Sequence, residues 1–104
     1  MEGKKTDEIF LISDVFASRK RVLLMFMLKE NYLGYVRLSN LMSKLVKIGS
    51  SEMYKHLHML EKYGMIVKQD RKFILTKKGL TAVECIEKII DAEPAKPNIK
   101  VVWE

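Results

Sequence analysis

The stretch GSSEMYKHLHMLEKYGMI, residues 49–66, holds two faces of one short helix apart. At 100° per residue, Met53, Leu57 and Leu60 fall on one side. Ser51, Lys55, His58 and Lys62 fall on the other, with Tyr54 at their flank and no acid among them. The first face must pack on something. The second is basic and hydroxyl-rich, where an exposed helix face usually mixes signs, so it is expected to meet an anion. Gly49 permits a tight turn, Ser50 is expected to cap the helix, and Gly64 to end it in a left-handed conformation, giving a helix over 50–63.

Upstream, LSNLMSKLVK supports a second helix, with Ser39 as its cap and Leu41, Leu45 and Val46 facing inward. YVR (Tyr35–Arg37) reads as a single edge strand. SRKRVLLMFMLKEN, capped by Ser18, runs without a polar residue from Val22 to Leu28. A helix apolar all round is buried all round, so this segment is expected to be the central helix, ending near Asn31 and Gly34. Thr6, followed by Asp7 and Glu8, is expected to cap a first helix over about 7–17.

Downstream, Met65–Lys68 and Lys72–Leu75 read as two short strands around Gln69–Asp70–Arg71, within a hairpin over 65–76. That turn lacks Gly or Asn and leaves the register open. Thr76 is expected to cap a last helix over about 77–91 with the stripe Ala82, Val83, Ile86, Ile89 and Ile90. Gly79 inside it implies close packing on a neighbour. Pro94 and Pro97 end the helix and leave a tail over 93–104.

Helix, turn, helix and hairpin in this order constitute a helix-turn-helix followed by a two-stranded wing. The segment RLSNLMSKLVKIGSSEMYKHLHMLEKYGMIVKQDRKFILTKKG resembles the winged helix-turn-helix of MarR-like and ArsR-like transcriptional regulators. Leu41, Gly49 with its paired serines, HLHMLEKYGMI and LTKKG carry the likeness, which covers about Tyr35 to Gly79. The cysteine pair or His/Asp set of ArsR-like metal sensors is missing here. The resemblance implies a mainly α fold with a small β-hairpin wing (α+β), the second motif helix in the DNA major groove, and the wing on the backbone or minor groove. The residue types agree with that reading. Ser50 and Ser51 stand at a helix N-terminus suited to a phosphate. Tyr54, Lys55, His58 and Lys62 line the groove side. Lys68, Arg71 and Lys72 are expected at the wing tip, and Lys44, with Lys47, on the flanking backbone.

Bulk properties bound the alternatives. A chain of 104 residues, 48% hydrophobic, forms one domain with one core, over about 1–92. Its net charge of +6 is uneven: Arg37 to Lys78 holds ten bases against three acids, and the remainder nine against ten. The excess positive charge therefore lies wholly in the middle segment, which favours a polyanionic partner. No apolar run approaches the roughly 20 residues that span a bilayer, and the N-terminus does not read as a signal peptide. A cytoplasmic, DNA-associated protein is expected.

Cys85 stands alone and allows no internal disulfide; it is read as a small hydrophobe, with a bridge between subunits as the lesser option. His56 borders the apolar face and reads as a core histidine, and the seven methionines as core filling. No nucleophile sits in a base-bearing motif and no phosphate loop appears, so no enzymatic role, metal or cofactor is expected. Ile9, Phe10, Leu11, Ile12, Val15 and Phe16 give the first helix more apolar surface than a small domain covers, and Leu80 and Cys85 extend the last helix beyond its stripe. A homodimer through the N- and C-terminal helices is expected. The competing functions are a non-specific architectural DNA-binding protein and a winged-helix protein-interaction module.

Overall fold

Ser18 begins the segment around which the rest assembles. Its side chain accepts a hydrogen bond from the Arg21 backbone N–H at 3.3 Å, capping a helix over Arg19–Met27. A computed structural model describes residues 3–92. In chain order the elements are α1 (Gly3–Phe16), α2 (Arg19–Met27), β1 (Leu33–Gly34), α3 (Tyr35–Ser43), α4 (Ser50–Lys62), β2 (Ile66–Gln69), β3 (Lys72–Leu75) and α5 (Lys77–Asp91). The fold is mainly helical with a three-stranded antiparallel sheet, in the order β1-β3-β2.

The core is one cluster. Leu24, Met25 and Leu28 of the central segment meet Leu38 and Met42 of α3, Met53, Leu57 and Leu60 of α4, Phe73 of β3 and Val83 of α5. Burying one such side chain contributes about 1.5–3 kcal/mol. Four methionines (Met25, Met42, Met53 and Met65) lie in this core, in keeping with their flexible, gap-filling shape.

The junction after α4 is tightly specified. Gly64 adopts φ +75°, its N–H bonds the Glu61 carbonyl at 3.0 Å, and the Met65 N–H bonds the Leu60 carbonyl at 2.9 Å. These two bonds form a Schellman cap, which satisfies carbonyls that the helix end leaves open. Thr76 then ties this exit to the start of α5. Its hydroxyl lies 2.6 Å from the Gly64 carbonyl and 3.0 Å from that of Met65, and it accepts the Gly79 N–H at 3.0 Å. Gly79 is required at the crossing, because a Cβ there would collide with the Met65 carbonyl oxygen and the Leu75 side chain.

Between β2 and β3 the register is Gln69 opposite Lys72, leaving a two-residue loop. Asp70 and Arg71 both take positive φ, 50° and 64°. Positive φ at both loop positions is the type I′ turn, whose twist matches that of paired strands.

Several sequence expectations change. Tyr35–Arg37 is not a strand: the strand is Leu33–Gly34, and Tyr35 already begins α3 with Gly34 as its N-cap. Ser39 consequently lies inside α3 and caps nothing. The inward set of α3 is Leu38 and Met42, while Leu41 and Val46 pack only partly and Leu45 is exposed. Gly49, not Ser50, is the N-cap of α4. Thr6 lies within α1, which starts by Gly3. The central helix is less enclosed than expected, with Val22, Leu23, Phe26 and Met27 only partly buried. Ile89 and Ile90 extend past the core and are largely exposed. The expected tail over 93–104 lies outside the described residues.

Candidate nucleic-acid interface

The inner face of α4 explains why its outer face is free. Met53, His56, Leu57 and Leu60 are buried against the core, and helical spacing then turns Ser51, Lys55, His58 and Lys62 to the surface. All four are exposed, and Ser50 precedes them, also exposed. No side chain caps α4, so its first backbone N–H groups point out at the Ser50–Ser51 end.

The two acids of α4 do not neutralise this face. Glu52 turns to α2, where Lys20 donates to its carboxylate at 2.8 Å. That hydrogen bond is the main reason its carboxyl is held below its usual pKa. Glu61 is exposed at the flank. Among the described residues, Lys44, Lys55, Lys62, Lys68, Arg71 and Lys72 lie within ion-pair distance of no acid.

Tyr54 is exposed but not loose. Its ring stacks on that of Tyr35 with centroids 4.4 Å apart and planes 9° from parallel. The contact fixes the start of α3 to the first turns of α4 and presents the Tyr54 edge to solvent. Sequence reasoning missed Tyr35 because YVR has β-prone composition. The i, i+4 spacing of Leu38 and Met42 was the available signal for a helix that extends back to Gly34.

His56 is buried behind this surface, at 7% exposure. The Arg21 guanidinium of α2 approaches its Nδ1 at 3.4 Å and Glu52 its Nε2 at 3.4 Å. Arg21 also donates to the Asp14 carbonyl of α1 at 2.6 Å. Burial holds the imidazole pKa below its usual value; the Glu52 contact opposes this, and the Arg21 charge adds to it. A polar chain thus joins α1, α2 and α4 beneath the exposed stripe.

The hairpin divides its bases. Lys68 pairs opposite Phe73, and its ammonium sits over that ring, 5.4 Å from the centroid. Lys72 is the neighbour of Phe73, so the alternation of a strand places it on the other face. Arg71 occupies the turn itself. The expected cluster of Lys68, Arg71 and Lys72 therefore separates: Arg71 and Lys72 stand together at the turn, and Lys68 lies along the opposite face. Lys44 is exposed at the end of α3.

Other chemistry is sparsely represented. Among the described residues, no group of three or more His, Cys, Asp or Glu side chains is placed to hold a metal ion, and no helix is long and apolar enough to cross a membrane. Cys85 is exposed, not a buried hydrophobe. It lines an apolar hollow of about 290 Å³ with Ile12, Phe16, Met65 and Ala82, where α1 meets α5. No protein-family model, curated protein or solved structure matches the chain.

Proposed function

We propose that the chain is a small, sequence-specific double-stranded DNA-binding transcription regulator of the winged helix-turn-helix type. In this reading α3 and α4 are the helix-turn-helix, α4 enters the major groove, and the β2–β3 hairpin is the wing. The observation that carries it is the outer side of α4, where Ser51, Lys55, His58 and Lys62 stay exposed while Glu52 is drawn inward to Lys20. A surface of hydroxyls, an imidazole and lysines offers hydrogen-bond donors to guanine and adenine edges and positive charge to phosphates. Base choice then belongs to α4, and the Lys and Arg contacts to phosphate add affinity without sequence preference.

A homodimer fits the same reading. On α1, Ile9, Phe10, Leu11, Ile12 and Phe16 are exposed and only Val15 is buried. Ile9, Ile12 and Phe16 share one side of the helix and Phe10 and Leu11 extend the apolar surface around it, which supports an interface here. Two copies joined through α1 and α5 would set their α4 helices to half-sites about one DNA turn apart.

Selection of bound duplexes from a random pool, followed by footprinting of the enriched sequence, tests the proposal. An enriched palindromic site, bound at least about 10³-fold more tightly than scrambled duplex at physiological salt, is the expected result. Binding without enrichment would identify a non-specific architectural protein instead. No duplex binding at low ionic strength would reject the reading.

A further inference from the structure

Beside this surface lies a second concentration of positive charge. The segment after α2, the start of α3 and strand β3 enclose a hollow of about 370 Å³. Arg37 reaches it from the first turn of α3 and Lys72 from β3, with Asn31 and Tyr32 also lining it and Leu33 and Leu41 providing apolar wall. No carboxylate lines it. Among the described residues, neither Arg37 nor Lys72 is ion-paired. Two cationic residues lining one hollow, with no acid beside them, give it a positive potential that favours an anion. A guanidinium fork, an ammonium, an amide and a phenol supply the donor set that a phosphate diester accepts.

The hollow is continuous with the surface of α4. Gly34 pairs opposite Lys72, and the Arg71 carbonyl oxygen lies 3.4 Å from where a Gly34 Cβ would stand. The next residue, Tyr35, stacks on Tyr54. The hairpin turn, the start of α3 and the exposed side of α4 therefore form one strip.

We infer that the Arg37–Lys72 hollow binds a backbone phosphate of duplex DNA outside the groove entered by α4. Arg37 and Lys72 are its charged ligands. This inference rests on the DNA-binding reading and extends its contact surface to residues off α4 and the hairpin turn.

Arg37→Gln and Lys72→Gln, each checked for an unchanged melting curve, would be titrated by fluorescence anisotropy against selected and scrambled duplexes over a range of salt. Each variant should flatten the salt slope, log K against log salt, and the double variant should lower it by about 0.9, the share of the one phosphate that both residues hold. Affinity should fall by the same factor on both duplexes, leaving the specificity ratio unchanged. With wild-type protein, a neutral methylphosphonate at one flanking position should reproduce the loss, and Arg37→Gln should add nothing further on that duplex.

An unchanged slope in both variants, together with a Lys55→Ala variant that loses preference for the selected duplex, would overturn the phosphate site and leave the DNA-binding reading standing. A chain that ignores duplex DNA fails the function itself. If inorganic phosphate alone then shifts the Arg37 and Lys72 resonances, the hollow takes a free anion and the DNA assignment is overturned.

Discussion

His56 is the buried group whose protonation state acidification changes. Glu52 faces it from its own helix, Lys20 and Arg21 from α2, and the Asp14 carbonyl anchors Arg21 behind it. Its folded pKa lies below the usual 6.5, so below about pH 6.5 the unfolded chain binds more protons than the folded one. Stability present above pH 6.5 is then lost as the pH falls through the folded value. Urea midpoints at pH 7.5, 6.5 and 5.5 should decline in that order, and His56→Gln should flatten the decline.

Arg71 gives the opposite kind of expectation. Arg71→Gly removes the strain of a left-handed residue and should raise stability by about 1 kcal/mol. The same change should weaken DNA affinity evenly across sequences if Arg71 meets a phosphate and no base. Denaturation and binding measured on the same variant would show both. Gly79→Ala should destabilise by about 1–3 kcal/mol despite alanine's better helix propensity, since its methyl meets the Met65 backbone. Thermal melting reads this directly.

At the scale of elements, features set by local spacing were legible and the boundary of α3 was not. The inner and outer sides of α4, the glycine that ends it, the Ser18 and Thr76 caps and the tight position of Gly79 could all be read from the residues, because each depends on local spacing. The α3 boundary could not. Its first turn is composed of Tyr35 and Val36, which favour strands. The antiparallel pairing of Leu33 with Phe73 hands the chain to a helix one residue beyond β1. That long-range contact overrides local preference. The same limit applies to the hairpin, where the I′ turn formed from Asp70 and Arg71 became visible only in three dimensions. It decides which bases share a face.

Lys55→Ala should lose about 1–3 kcal/mol on the selected duplex and much less on a scrambled one, if Lys55 reaches a base. Tyr35→Ala changes no residue of the α4 stripe, yet in the DNA-binding reading it should lower affinity by deleting the ring that holds Tyr54 in place. Anisotropy with both duplexes separates the two effects.

The whole molecule joins two surfaces of opposite character. Basic residues of the middle segment meet solvent along α4 and the hairpin turn, while α1 exposes apolar side chains, with Phe10 63% exposed. Static light scattering at micromolar concentration should give a mass near twice 12.1 kDa, and a monomer mass would end the dimer proposal. Phe10→Asp should reduce the assembly toward monomer and, by removing the second half-site contact, weaken binding to a palindromic duplex far more than to a single half-site.

The Thr76 hydroxyl, bonded at once to the end of one helix and the beginning of another, leaves no hinge between them. With Gly79 pressed against Met65 at the same crossing, the exit of one rod and the entry of the other are held at one point. In the proposed dimer, a twist applied to the last helix where the second copy grips it would reach the other rod through this point. In the DNA-binding reading, the pitch at which that rod meets its target would then depend on what grips the far end as well as on the residues that touch the target.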